Sequence, residues 1–427
     1  MQKIDNFKPK LSPDVKVRFL KEDERGKFYI IGITKNSVFL KVHQVGKDVI
    51  DAFDGRTSVA QISNLLKQRN VEIDLWRFIS DLGEDGFIEN YSYSRSKKKR
   101  EEKLRVYYLP FLRNPERILS LFHRLLSPFY KPILLKLFIL SNVSAAAFFV
   151  ASIFLGLLVP QFFSLRESNF FAFVLYLFFI FPVLGLIHEL AHAIACFHYG
   201  GKPSEIGVAV YLFTFFFYAE TSDTWLFDRK KSILVFLAGP LATLFIGNLF
   251  FLLYLFFQQS ALSQLFIMIA FASNLSVLVG FNPLIEADGC YILQTLVAFP
   301  NIHSHLWGYA LSWIKHRLGF IPKQEYEDFV SSYSRTERRT LAIYTPLALL
   351  MNCLIVAIII PWSLSVAYEF VQLTLGLVQR FPNVEVSTVA VWVFQGVYLS
   401  LVFVFSIFRI LKHAVKKLVR RRTSERQ

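Results

Sequence analysis

Six stretches of this chain, at about 133–159, 170–198, 232–257, 262–281, 341–363 and 389–411, are almost wholly apolar. Each is long enough to cross a bilayer, since about 20 helical residues cover its ~30 Å of hydrocarbon. Few folds accept such runs. In hydrocarbon every backbone N–H and C=O must find its partner inside the protein, so the runs fold as helices. The composition agrees: 54% of the 427 residues are hydrophobic and 46 are Phe. The expected fold is therefore a multi-pass α-helical membrane protein of about six spans. The first hundred residues are charged and mixed, so the beginning of this sequence does not read as a secretory signal. Cys196, Cys290 and Cys353 all sit in apolar surroundings and imply no disulfide framework.

A net charge of +15 suggests nucleic acid at first sight, but its distribution argues otherwise. Residues 1–92 hold 15 Lys and Arg against 14 Asp and Glu, so the surplus lies around the apolar runs. Of Lys and Arg, the loops at 160–169, 258–261 and 364–388 carry only Arg166 and Arg380. The alternate loops carry Lys202, Arg229, Lys230 and Lys231, then Lys315, Arg317, Lys323, Arg335, Arg338 and Arg339. The tail from Arg409 adds eight more. By the positive-inside rule both termini are expected in the cytosol.

Within the second run stands His188-Glu189-Leu190-Ala191-His192. At about 100° per residue, His188 and His192 share one helix face a turn apart, so both imidazoles reach one metal ion. Glu189 stands beside them, placed to take a proton from a water at that metal. The rival is a pair of satisfied core histidines in a chance pattern. Its weakness is cost: a charge at the centre of a membrane helix is unfavourable by roughly 3 kcal/mol or more. A second acidic group follows the fourth run, in Asn282-Pro283-Leu284-Ile285-Glu286-Ala287-Asp288-Gly289. Pro283 breaks the helix and Gly289 permits a tight turn. An acid there needs a cation, and either Asp288 or Glu286 can complete a site begun by the two histidines. Cys196, Cys290, His198, His303 and His305 are read as packing or interfacial residues. Between these groups, 206–219 is apolar but bears Gly and Tyr, and reads as a hairpin lining the protein's own cavity.

Before the first run, 27–34 and 37–42 read as two strands. Helices follow, one around Val45, Val49 and Ile50, one starting at Thr57 or Ser58, and one capped by Asp74. Gly86-Phe87-Ile88-Glu89 returns the chain to a strand. The sum is a small α+β, winged-helix-like domain over 1–92. A basic linker spans 93–131, the core 132–300, a cytosolic loop 301–340, two further membrane helices 341–411 and a basic tail 412–427.

The residues of the core resemble the site-2 protease family: HELAH, the Ala238-Gly239-Pro240 turn, and Asn282-Pro283 with Asp288-Gly289. The segment from Tyr218 to Leu226 is similar to the peptide zinc metalloprotease branch. This resemblance covers about 170–296. It implies Zn2+ held by His188, His192 and Asp288, Glu189 as catalytic base, and Asn282 as the residue that orients substrate or stabilises an oxyanion. There is no room for a PDZ domain. The stretch 27–90, with VGKDVIDAFDGRTSVAQIS and DLGEDGFIE, resembles PqqD-like peptide-recognition domains, which bind a leader peptide as an added strand beside the third helix.

Together the resemblances imply a membrane zinc endopeptidase in a bacterial cell membrane. Its expected substrate is a ribosomally made, modified precursor peptide, or else a membrane protein cut within its span. A peptide-modifying enzyme or exporter is an expected partner, alongside the lipid bilayer; nucleic acid is not. A non-proteolytic zinc-containing peptide receptor, export partner or immunity protein is the rival, and the intact Glu189 speaks against it.

Overall fold

The fold is a computed structural model that describes residues 5–33, 38–69, 71, 73–91, 107–155, 179–211, 214–260 and 262–380, with short pieces at 388–389, 392–393 and 396–397. It is mainly helical with small antiparallel sheets. Among the described residues, five helices are long and apolar enough to cross a membrane: Pro132–Ile153, Phe181–His198, Arg229–Phe256, Ser263–Gly280 and Arg335–Ala357. The sixth expected run, 389–411, lies largely outside the described residues. The chain divides into two compact units. One comprises Met1–Ile139, Leu184–Thr243 and Gly280–Leu349; the other comprises Leu140–Val183, Leu244–Val279 and Leu350–Gln427.

The first unit begins with β1 (Val15–Asp23), β2 (Gly26–Ile33) and β3 (Val38–His43), an antiparallel sheet in that order. β1 was not expected from the sequence. Its residues are exposed or half-buried, and its register slips between Phe19 and Lys21, so its alternation marks no buried face. The helices α1 (Gln44–Asp51), α2 (Val59–Gln68) and α3 (Leu75–Glu84) follow. Their starts are local chemistry. His43 caps α1, Ser58 and Gln61 form a reciprocal capping box on α2, and the Asp74 carboxylate accepts from Arg77 N–H on α3. Their apolar faces close on Ile31, Ile50, Ile62, Ile79, Leu82 and Phe87. The stretch expected to return as a strand makes one bridge, Leu11 to Ile88.

Residues 107–130, part of the stretch read as linker, are folded. β4 (Tyr107–Arg113) is followed by α4 (Glu116–Leu126) and a 3-10 turn (Ser127–Tyr130). The long helices α5 (Pro132–Phe154) and α6 (Phe181–His198) come next, then the hairpin β5 (Glu205–Tyr211) and β6 (Thr214–Ala219). β4 joins that hairpin, giving the order β4-β5-β6. The remaining helices are α7 (Arg229–Phe256), α8 (Ser263–Gly280), α9 (Asp288–Val297), α10 (Ile302–Arg317), α11 (Lys323–Ser331) and α12 (Arg335–Arg380). α12 runs through the first part of 364–388, where the sequence suggested a loop.

The sheet β1-β2-β3 is joined to the rest of the first unit by charge. Arg18 donates to the Trp225 carbonyl at 3.0 Å, while Lys21 and Arg25 reach Glu337 at 3.1 and 2.7 Å. The second unit is held by packing between helices. Phe149 lies edge-on to Phe251 at 4.9 Å, beside Ile267 and Ala270. A side chain at Gly247 would stand 2.8 Å from Ser273 Cβ, so only glycine lets α7 and α8 approach this closely. Asn248 donates to the Asn142 carbonyl at 3.0 Å, a polar link between α7 and α5.

Candidate metal centre

α6 carries His188 and His192 on one face, as their spacing requires. Their Nε2 atoms converge to 3.2 Å. The other ring nitrogens fix the rings. His192 Nδ1 lies 2.7 Å from the Val235 carbonyl, which only accepts, so Nδ1 carries the hydrogen and neutral Nε2 is bare. His188 Nδ1 is 2.9 Å from Thr243 Oγ1. Val235 and Thr243 stand on α7, four residues either side of Gly239, so one helix face provides all three. A side chain on Gly239 would stand 2.3 Å from His192 Nε2 and 2.6 Å from His188 Nε2, inside the space between the rings. Glycine is therefore required there by the site itself.

Asp288 completes the cluster from the first turn of α9. Its Oδ2 is 3.0 Å from His188 Nε2 and its Oδ1 3.3 Å from His192 Nε2. Its neighbour Gly289 explains the approach: a Cβ there would meet Phe281 Cα at 2.4 Å, so the turn presses onto the end of α8. A tetrahedral metal with ligands at about 2.0–2.1 Å places them about 3.3 Å from one another. The two Nε2 atoms, 3.2 Å apart, lie close to that figure, and each has its own Asp288 oxygen at similar range, Oδ2 at 3.0 Å and Oδ1 at 3.3 Å. The bare His192 nitrogen, the His188 imidazole and a carboxylate meet at one point, a donor set that a cation stabilises, so these residues fit a metal ion.

Glu189 takes a different place. Its Oε2 accepts from the Ala219 N–H at 2.9 Å, at the end of β6. The next N–H, of Glu220, donates to Glu205 on the β5 side, so the Ala219 N–H points the other way, off the edge that no strand among the described residues pairs. Phe217 of β6 packs near Gly185 of α6. β6 thus runs along α6 with its open edge beside the cluster. The ligand atoms of His188, Glu189 and His192 all lie within 4.8 Å of one another, and this group can hold a metal ion. Asp288 reaches the same two imidazoles from α9.

The other sequence candidates fall elsewhere. Glu286 is exposed, 3.9 Å from His303. Asn282 is buried and its Oδ1 accepts from Leu284 N–H at 3.0 Å, which shapes the turn leading to Asp288. Cys196 is buried among Ala195, Val235 and Phe227, and Cys290 lies in a separate core with Leu293 and Leu306. His198 stacks on Tyr130 at 4.1 Å, and His305 on Phe299 at 4.7 Å. Thr243 and the Val235 carbonyl were not found from sequence. The only signal was the four-residue spacing 235, 239, 243 on a helix already holding the Ala-Gly-Pro turn.

Fold and centre together define a class: a helical chain with membrane-length spans and a His/Glu group able to hold a metal ion. No protein-family model, no curated protein and no solved structure matches it.

Proposed function

We propose that this chain is a membrane-embedded zinc endopeptidase of the site-2 protease kind, close to the peptide zinc metalloprotease branch. One observation carries the reading: Glu189 hydrogen-bonds the free-edge N–H of β6 while its neighbours His188 and His192 converge with Asp288. A structural metal site needs no acid poised between a metal and an open strand edge.

In this reading His188, His192 and Asp288 hold Zn2+. When bound, zinc acts as a Lewis acid that polarises a carbonyl and lowers the pKa of water toward ~7. The chain's own residues do the rest. β6 receives an extended peptide as an added strand, which fixes the scissile bond beside Glu189. Glu189 takes a proton from water and returns it to the leaving amine. The Val235 carbonyl keeps His192 in the tautomer that presents Nε2, and Thr243 orients the His188 ring. Asn282 orients the substrate or stabilises its developing oxyanion.

The substrate is a ribosomally made, modified precursor peptide, recognised by the PqqD-like domain over 1–92. Among the described residues β3 pairs only with β2, and a cleft of about 380 Å³ lies between β3, Val71, Ile73 and Phe78 of α3. An open strand beside an apolar cleft suits a leader peptide. A bacterial cell membrane with both termini in the cytosol is the setting.

The test is cleavage of a precursor peptide by the full chain reconstituted in vesicles. Chelation should stop it and zinc restore it. Stoichiometric zinc with no cleavage of any precursor would favour the peptide-receptor reading instead. Leader binding should weaken only slightly with salt; steep salt dependence with duplex DNA and none of the leader would overturn the assignment of 1–92.

A further inference from the structure

We infer that α4 is seated in the membrane plane, with its outer face in the headgroup–acyl boundary of an anionic leaflet. This seat is independent of the protease reading. α4 has two apolar sides. Leu119 is fully buried against Ala193 and Ile194 of α6 and Ile206 of β5, with Leu126 beside it. The other side is open: Ile118, Leu121, Phe122 and Leu125 are 40%, 66%, 39% and 72% exposed. Their spacing of three and four residues gathers them into a stripe about 100° wide. No protein surface among the described residues covers it.

Length and charge identify the occupant. Eleven residues rise only about 16 Å, too little to cross ~30 Å of hydrocarbon, so α4 cannot span. Arg117 and Arg124 are exposed along one border of the stripe, with Arg113 and Lys131 beyond the ends. Glu116 is the one acid on the helix. Cations bordering an apolar stripe place their stems on acyl chains and their charges among phosphates. The apolar surface also continues into α5, where Ile133 and Leu137 face outward at the start of a span. A lipid surface meets the stripe, the border and the span at once.

The seat bears on the metal helix, because α4 grips α6 on its inner side. Leu119 lies against the turn that follows His192, and His123 Nε2 is 2.9 Å from His198 Nδ1 at the end of α6. α4 therefore joins the membrane surface to the helix that carries both imidazoles.

The test uses the full chain with Cys353→Ser and one labelled cysteine at a time, Leu121→Cys, Leu125→Cys or Ser120→Cys, in phosphatidylcholine vesicles with and without phosphatidylglycerol. Ser120 lies on the polar face and is the reference. Labels at 121 and 125 should be quenched by lipids brominated just below the headgroup. An aqueous quencher should reach them at least about threefold less than the label at 120. Phosphatidylglycerol should widen the difference, and Arg117→Gln with Arg124→Gln should remove that widening. Equal aqueous quenching at all three positions overturns the seat. So does stronger quenching from the bilayer centre, which would mean deep insertion. Shielding from both lipid and water would mean a second copy or another protein covers the stripe, and overturns it too. No response to phosphatidylglycerol overturns the anionic part.

Discussion

Two pairs of carboxylates within one compact unit are treated in opposite ways. Asp23 and Glu337, with side chains 6% and 5% exposed, are surrounded by cations the chain itself supplies. Lys21 stands 3.0 Å from the one and 3.1 Å from the other; Arg25 and Lys41 reach Glu337 at 2.7 and 3.7 Å. Glu189 and Asp288 have no such company: among the described residues no Lys or Arg pairs with either. Asp288 faces imidazole nitrogens, and Glu189 accepts from a strand edge. A carboxylate neutralised from within is closed and structural. One facing imidazole nitrogens suits a cation from outside, as the proposed zinc site requires.

The sharpest way to break this contrast is the same substitution in both clusters. Glu189→Gln should lower precursor cleavage by about 100-fold or more, the usual share of a general base, while metal content and melting temperature stay near wild type. Glu337→Gln should do the reverse, leaving cleavage chemistry and metal content intact while costing about 1–3 kcal/mol of stability. Thermal unfolding and metal analysis of the two proteins side by side decide it. Equal behaviour would erase the distinction.

Within the open cluster, Asp288→Ala should weaken zinc by about 100-fold, whereas Glu286→Ala should leave it unchanged. Competition with a chromogenic chelator reads this, and the opposite result would move the third ligand to Glu286. Thr243→Val should cost about 10-fold in metal affinity, because only the orientation of His188 is loosened. The smallest effect concerns the closed cluster. Burial pushes the Asp23 carboxyl up, but hydrogen bonds from Lys21 and from the Arg25 backbone prevail and hold it down at about 2. A depressed carboxyl contributes stability above its unfolded pKa of about 3.9, and loses it as pH falls toward the folded value. Wild type should therefore lose more melting temperature than Asp23→Asn across that window, and parallel curves would refute the coupling.

Local signals were legible wherever one residue carried its own reason. Ser58 and Asp74 cap helices by reaching N–H groups three residues on, and the apolar runs fold as helices in hydrocarbon whatever lies beside them. β1 and the folded part of 93–131 were not legible. β1 has no buried face to pattern it, and among the described residues β4 has only the distant hairpin as its ladder partner, with Pro110 breaking its run of donors.

By itself the sequence determined that His188 and His192 would share a helix face, because a spacing of four residues on a 3.6-residue turn leaves no other arrangement. It also determined that an acid would follow the Asn-Pro turn, but not which of Glu286 and Asp288 would meet the imidazoles. That was decided by tertiary structure, through the close approach at Gly289. The same holds for Gly239, Val235 and Thr243. The room between the rings and the hydrogen bonds that aim them come from a different helix, some fifty residues on in the chain. Turn geometry acts over a few residues and can be read in order; a metal site is closed by atoms adjacent only after the helices pack.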